Sequence, residues 1–370
     1  MMEINRRRFL GQALGCAGAL MLPLRSFSLQ SRIADDLLLS AFDDQAGQHW
    51  ISGWHFNGRQ QFRLPISNRA HAVSVSPDKM RAAFFSRRPG TEMYLVDLAS
   101  GTLSGTISSP EGYHYYGHGV FSRDGRKLFT TENAYERQHG VVAVYDTDSL
   151  QRIGEYHSGN IGPHQLELLG DDRTLVIANG GILTHPSSAR ESLNLDSMQS
   201  TLTYMDSRDG KILGDYRPQH PQMSIRHLAV SATDQVVMGV QFQGDSSELL
   251  PLVLSHRGEE KLQPMLADEL HWLGMNQYIA SIAIDNNRGL ALSTTPRGNN
   301  ASLWHLESRE LLRSYTVRDV AGAAYCAIRG GFLLSNGLGQ ILSLASPEDD
   351  LQPLFGNRDV RWDNHLALVS

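Results

Sequence analysis

The chain repeats one short pattern seven times, and that repetition limits its folding more than any other feature. The copies are "HAVSVS" from His71, "HGVFS" from His118, "HQLELL" from His164 and "HLAVSA" from His227. They continue with "SIAID" from Ser281, "GAAYC" from Gly322 and "HLALV" from His365, at intervals of 47, 46, 63, 54, 41 and 43 residues. Six copies open the same layout. An apolar strand meets a turn such as "SPDKM" or "SRDGR", and a second apolar strand follows, such as "RAAFFS" or "KLFTTE". A third strand often ends in Asp, as in "EMYLVDL", "VVAVYDT" and "LTYMDS", and a Gly or Ser turn leads to a fourth.

Four short strands recurring every 40–50 residues or so are the signature of a β-propeller blade. The last copy, at His365, has only its first strand before the chain stops. Its missing partners stand at the other end of the sequence, as "DDLLLSAFD", "HWISGWHF" and "QQFRLPIS". The sequence therefore predicts an all-β, seven-bladed β-propeller closed by pairing of N- and C-terminal strands, which leaves neither chain end as an open sheet edge. The inner strands are apolar almost throughout, as expected of strands buried on both faces. One short helix is expected, in "SARESLNLDSMQS", within the longest interval.

In such a blade the turn before the inner strand and the loop between the second and third strands open on one face. The first set brings His71, His118, His164, His227 and His365 to that face. The second brings Arg87, Arg88, Glu132, Asn133, Asn179, Asp245, Arg297 and Asn336. Neutral imidazoles in an incomplete ring suit a divalent transition metal, with Fe, Cu and Zn as candidates. Protonated imidazoles beside Arg88 and Arg297 would favour a carboxylate or phosphate instead. A third reading gives each histidine a structural hydrogen bond inside its own blade. "SRRPG" and "TTPRGN" occupy equivalent loops, where Pro and Gly fix a turn that presents Arg. The insertion "GGILTHPSSARESLNLDSMQS" falls on the same face, where a lid or partner contact is expected.

The N-terminus reads "NRRRFLGQALGCAGALMLPL", which fits a twin-arginine export signal over residues 1–28, with the propeller domain over 29–370. Its apolar stretch is shorter than the roughly 20 residues that span a bilayer. Export of this kind places the protein in the periplasm and leaves Cys326 as its one cysteine, so no internal disulfide can form. The full chain carries −6, and removing the basic leader makes the remainder more acidic. That balance argues against nucleic acid or an anionic membrane as partner. There is no G-x-S-x-G elbow, C-x-x-C-H, H-E-x-x-H or P-loop.

Long stretches carry a family resemblance. These are "RRPG", "YGHGVFSRDGRKLFTTENAYERQHGVVAVYD", "IGPHQLELLGDDRTLVIANGGILTHP", "LNLDSM", "SIRHLAV", "QFQGD", "TPRG" and "WDNH". Together they resemble a bacterial exported family catalogued as domain of unknown function 1513. The resemblance implies a propeller encoded near imelysin-type iron-uptake proteins and haem-containing peroxidase-like proteins, and it implies no activity. The reading that follows is a periplasmic propeller binding a ligand, with a metal as candidate, at a histidine-lined channel mouth in support of iron acquisition. Two alternatives stand beside it: a metal-dependent periplasmic hydrolase or oxidoreductase, and a scaffold for an imelysin-like partner.

Overall fold

The structure, a computed structural model, describes residues 36–188 and 191–369. The twin-arginine segment and the boundary at residue 28 lie outside these residues. Among the described residues, 29 strands build seven antiparallel sheets. Six blades follow in chain order, with inner strands Ala70–Val75, Tyr113–Phe121, Pro163–Leu168, Met223–Val230, Ser281–Asp285 and Val320–Cys326. These are blades one to six. Blade seven combines both ends of the propeller. Its inner strand comes in two pieces, Val360–Trp362 and Ala367–Val369, and both pair with Leu37–Asp44. The strands His49–His55 and Gln60–Ile66 complete it. The seven-bladed ring and its closure thus match the architecture that the repeats predict.

Local chemistry explains the turns. The Asp that ends a third strand accepts a backbone N–H from the next turn: Asp97 from Ser100 at 2.7 Å and Asp146 from Ser149 at 2.8 Å. The side chain thereby satisfies a donor freed where the ladder stops. The turns after the inner strands use Asp78 and Asp124 in the same way, accepting from Met80 and Arg126 at 3.0 Å each.

The core lies between blades rather than at one centre. Leu37, Leu39, Phe84, Tyr94 and Val369 pack together where blades seven and one meet. Leu292, Leu303, Phe332, Leu334 and Leu342 do the same between blades five and six. Second strands such as Thr174–Asn179 and Leu290–Thr295 are buried at every position, as is the inner strand Ser281–Asp285. The inner strands Ala70–Val75 and Met223–Val230 are half-buried at their far ends, where they border the channel.

Two helical details differ from expectation. The described part of the blade-three insertion forms a 3-10 turn at Pro186–Ser188 rather than an α-helix. The α-helix stands instead at Glu269–Gly274, between blades four and five. Asp268 caps it by accepting from the His271 N–H, and Trp272 stacks on Trp304 with ring centroids 5.4 Å apart.

Candidate metal centre in the channel

The histidines reach the channel because their strands are irregular. In blade one, Ala70 pairs with Ser86 and Val73 with Phe84, so His71 and Ala72 face one residue. In blade two, Tyr115 pairs with Glu132 and Gly119 with Thr130, leaving Tyr116, Gly117 and His118 opposite one residue. His164 is the extra residue of blade three, and Arg226 that of blade four, just before His227. His365 falls in the gap between the two inner pieces of blade seven. A bulge of this kind bends the strand and re-aims its side chains. Blade five has a regular inner strand and carries Ser281 at this place, while blade six is bulged like the others but carries Gly322.

Neighbouring groups hold these bulges in place. Ser40 Oγ donates to the His365 carbonyl at 2.8 Å. Thr131 Oγ1 lies 3.2 Å from the His118 carbonyl and 3.1 Å from that of His164. Gly117 has φ +107°, and a Cβ there would stand 2.8 Å from His71 Cδ2. Only glycine fits both that backbone and that approach.

The five rings form one cluster. Ring centroids lie 5.1 Å apart for His71–His118, 4.6 Å for His71–His365, 4.7 Å for His164–His227 and 4.8 Å for His227–His365. All five residues are buried, with 1–8% of their surface exposed. Two triads bring one donor atom from each member within 4.8 Å of the others: His71, His164 and His227, and His71, His118 and His365. His71 belongs to both.

The nitrogens mostly lack partners in the protein. His118 Nε2, His164 Nδ1, both nitrogens of His227 and His365 Nε2 are buried and make no hydrogen bond. Structural histidines would be satisfied within their blades, since an unpaired buried polar atom costs about 1–3 kcal/mol. His71 is the exception. Its Nδ1 lies 2.8 Å from Asp363 Oδ1. A carboxylate can only accept, so Nδ1 carries the proton and Nε2 keeps its lone pair. Asp363 also accepts from Arg69 Nε at 2.6 Å. Burial alone would raise the Asp363 carboxyl, but the His71 bond and the charges of Arg69 and Arg87 hold it well below the usual carboxylate range.

Burial pushes His118, His164, His227 and His365 well below the ordinary imidazole value, and neighbouring cations or imidazoles add to this. Burial also lowers His71, against the opposing pull of Asp363. Neutral rings are the form that binds metal. The protonated-imidazole reading therefore loses its basis.

The cluster separates two cavities of the channel. On one side a cavity of about 230 Å³ is lined by His71, His164 and His227 together with Arg87, Arg88, Arg226 and Arg297. On the other side, His118 and His365 line a second cavity with Gln165 and Glu167. Confinement there pushes the Glu167 carboxyl up to about 7.

Of the polar residues expected at the mouth, Arg87, Arg88 and Arg297 reach the first cavity and the others do not. Glu132 and Asn133 lie within the strand Lys127–Ala134. Glu132 turns into blade two and accepts from Tyr145 at 2.8 Å, Thr130 at 3.0 Å and Arg152. Asn133 donates to His114 Nε2 at 3.0 Å. Asn179 is held inside blade three by Ser158 and Thr203. Asp245 caps an exposed turn by accepting from Ser247, and Asn336 is tied to Gln340 in its own hairpin. Sequence reasoning passed over Arg226, Tyr116, Gln241, Tyr278 and Asp363. The adjacency of Arg226 to His227 and the "WDNH" spacing were the available signals. Ser192, from the blade-three insertion, also lines the cavity.

Comparison with known proteins agrees with this architecture. The profile of a family described as protein of unknown function (DUF1513) matches residues 64–369. No curated protein matches the chain. Among solved structures, hydrazine synthase of Kuenenia stuttgartiensis is similar with a TM-score of 0.61 and 12% identity, over 80% of this chain and 91% of that one. At that identity the likeness concerns the fold alone. Among the described residues, no helix is long and apolar enough to cross a membrane.

Proposed function

We propose, for a chain that belongs to the family of proteins of unknown function DUF1513, that the central histidine cluster holds a divalent transition metal. The observation that carries this reading is the set of buried imidazole nitrogens without partners in four histidines. A fold does not ordinarily leave so many polar atoms orphaned at one point, and a metal ion takes up one lone pair from each imidazole that it binds. An all-imidazole donor set suits Zn, Cu, Fe or Ni. Asp363 accepts from His71 Nδ1, which fixes the tautomer and raises the basicity of Nε2. For a metal–nitrogen distance of about 2.0–2.1 Å the donor atoms must draw closer than 4.8 Å, a side-chain adjustment on binding.

The reading places the protein in the periplasm, in support of iron acquisition. The twin-arginine pattern supports export, and what the family resemblance implies about neighbouring genes supports the iron context. The test has two parts. Protein purified from the periplasmic fraction of its host is expected to carry close to one transition metal per chain by elemental analysis. A strain lacking the gene is expected to grow poorly when iron is scarce and normally when it is plentiful. Metal-free periplasmic protein would remove the metal reading, and unchanged growth under iron limitation would remove the iron role.

A further inference from the structure

The cavity on the outer side of the His71, His164 and His227 triad has a charge that its own lining does not balance. Four arginines line it and no carboxylate does. Arg87 has a distant partner, Asp363, at 3.9 Å. That carboxylate is already engaged by Arg69 and His71. Among the described residues, Arg88, Arg226 and Arg297 have no carboxylate within ion-pair distance. Arg88 Nη1 is buried with no hydrogen-bond partner. Arg226 is 7% exposed, and its only side-chain bond runs from Nε to Ser224 Oγ at 2.9 Å. Arg297 lies over the Tyr278 ring, 4.5 Å from its centroid, and its guanidinium nitrogens make no hydrogen bond.

Buried cations without partners are costly, and mutual repulsion adds to the cost. Burial and the nearby Arg88 lower Arg226 to about 10, which still leaves it charged at neutral pH. Three unpaired guanidinium groups on one small cavity call for a ligand with more than one negative charge. Their planar forks match carboxylate or phosphate oxygens two at a time. The ring face of Tyr278 and the amides of Gln241 and Gln243 complete a lining that is polar throughout and closed below by the imidazoles. A cavity of about 230 Å³ admits a compact acid and excludes a macromolecule.

We propose that this cavity is a binding site for a small polycarboxylate, gripped by Arg88, Arg226 and Arg297. It rests on the metal reading in one respect: such an acid would lie directly above the triad, where a carboxylate oxygen can fill a coordination position that three imidazoles leave open. Anion and metal then strengthen each other's binding by the same factor.

The experiment uses protein freed of metal on a chelating resin, since a soluble chelator is itself a polycarboxylate. Tricarballylate, which has three carboxylates and chelates metals weakly, is titrated calorimetrically alongside acetate and inorganic phosphate. One tricarballylate per chain is expected, with acetate giving no saturable heat. Arg297→Ala, at an exposed position, is expected to weaken binding about tenfold without loss of fold, and the Arg88→Ala/Arg297→Ala pair to weaken it further. Saturating Zn²⁺ is expected to tighten tricarballylate at least tenfold. Absence of tricarballylate binding with or without Zn²⁺ overturns the inference, and Zn²⁺ heat in the same protein would leave the metal reading intact. Phosphate binding tenfold tighter than tricarballylate overturns the polycarboxylate assignment. Tricarballylate binding in protein that gives no Zn²⁺ heat supports the anion site and counts against the metal reading alone.

Discussion

Asp363 and the histidines carry the chemistry at the residue scale. Asp363→Asn keeps the side-chain shape but can no longer enforce one tautomer on His71, and it removes the negative charge between Arg69 and Arg87. We expect a 10–100-fold loss of metal affinity, the usual effect of removing such a carboxylate, with the propeller still folded by circular dichroism. Unchanged affinity would detach Asp363 from the site. The imidazoles also set the acid response of metal-free protein. Their folded values lie below 6.5, so under pH 6.5 the unfolded chain takes up protons that the fold does not. Stability is therefore full above pH 6.5 and falls as the pH drops, by at most about 1.4 kcal/mol per pH unit for each histidine. Melting temperatures measured from pH 8 to pH 5 should decline steeply, and a flat profile would contradict the buried cluster. The histidines were legible because each recurs at one place in the repeat. Asp363 was not, because one carboxylate in a single copy has no repeat to mark it.

At the element scale, the blades could be read from sequence because strand, turn and strand recur with the same punctuation. The bulges could not. A bulge adds one or two residues to a strand whose length already varies, and an apolar run looks the same with or without it. Yet the bulges turn a row of strand histidines into a cluster. Of the eight polar residues in the second set, three reach the cavity, and the length of the second strand decides which. The repeat pattern assigns Glu132 and Asn133 to a loop, whereas the second strand of blade two continues to Ala134 and carries both into the sheet. Arg88 and Arg297 stand beyond their strand ends, so turn chemistry did place them. The divided inner strand of blade seven has its own consequence. Removing Arg361–Ser370 deletes His365 and Asp363 and exposes Leu37–Phe42, which those residues cover. The truncated protein is expected to aggregate or to lose its cooperative melting transition, and unchanged melting would contradict ring closure.

The whole molecule is a ring of blades around a channel that a layer of imidazoles divides. On one side lie arginines, on the other Glu167, whose carboxyl burial pushes up to about 7, with the inner-strand residues that line the second cavity. Closure of the ring is what lets residues 294 positions apart, such as Arg69 and Asp363, meet at 2.6 Å. The site therefore exists only in the assembled propeller, and a bound metal should stabilise it in proportion to the logarithm of metal concentration. His71 is the one ligand common to both triads. The most direct measurement is a calorimetric titration of metal-free protein with Zn²⁺, Cu²⁺ and Fe²⁺, run on the wild type, His71→Ala, His118→Ala and His164→Ala. The account predicts one ion per chain in the wild type, retained at weaker affinity in His118→Ala and His164→Ala and lost in His71→Ala; no saturable heat with any of the three ions in the wild type would contradict it.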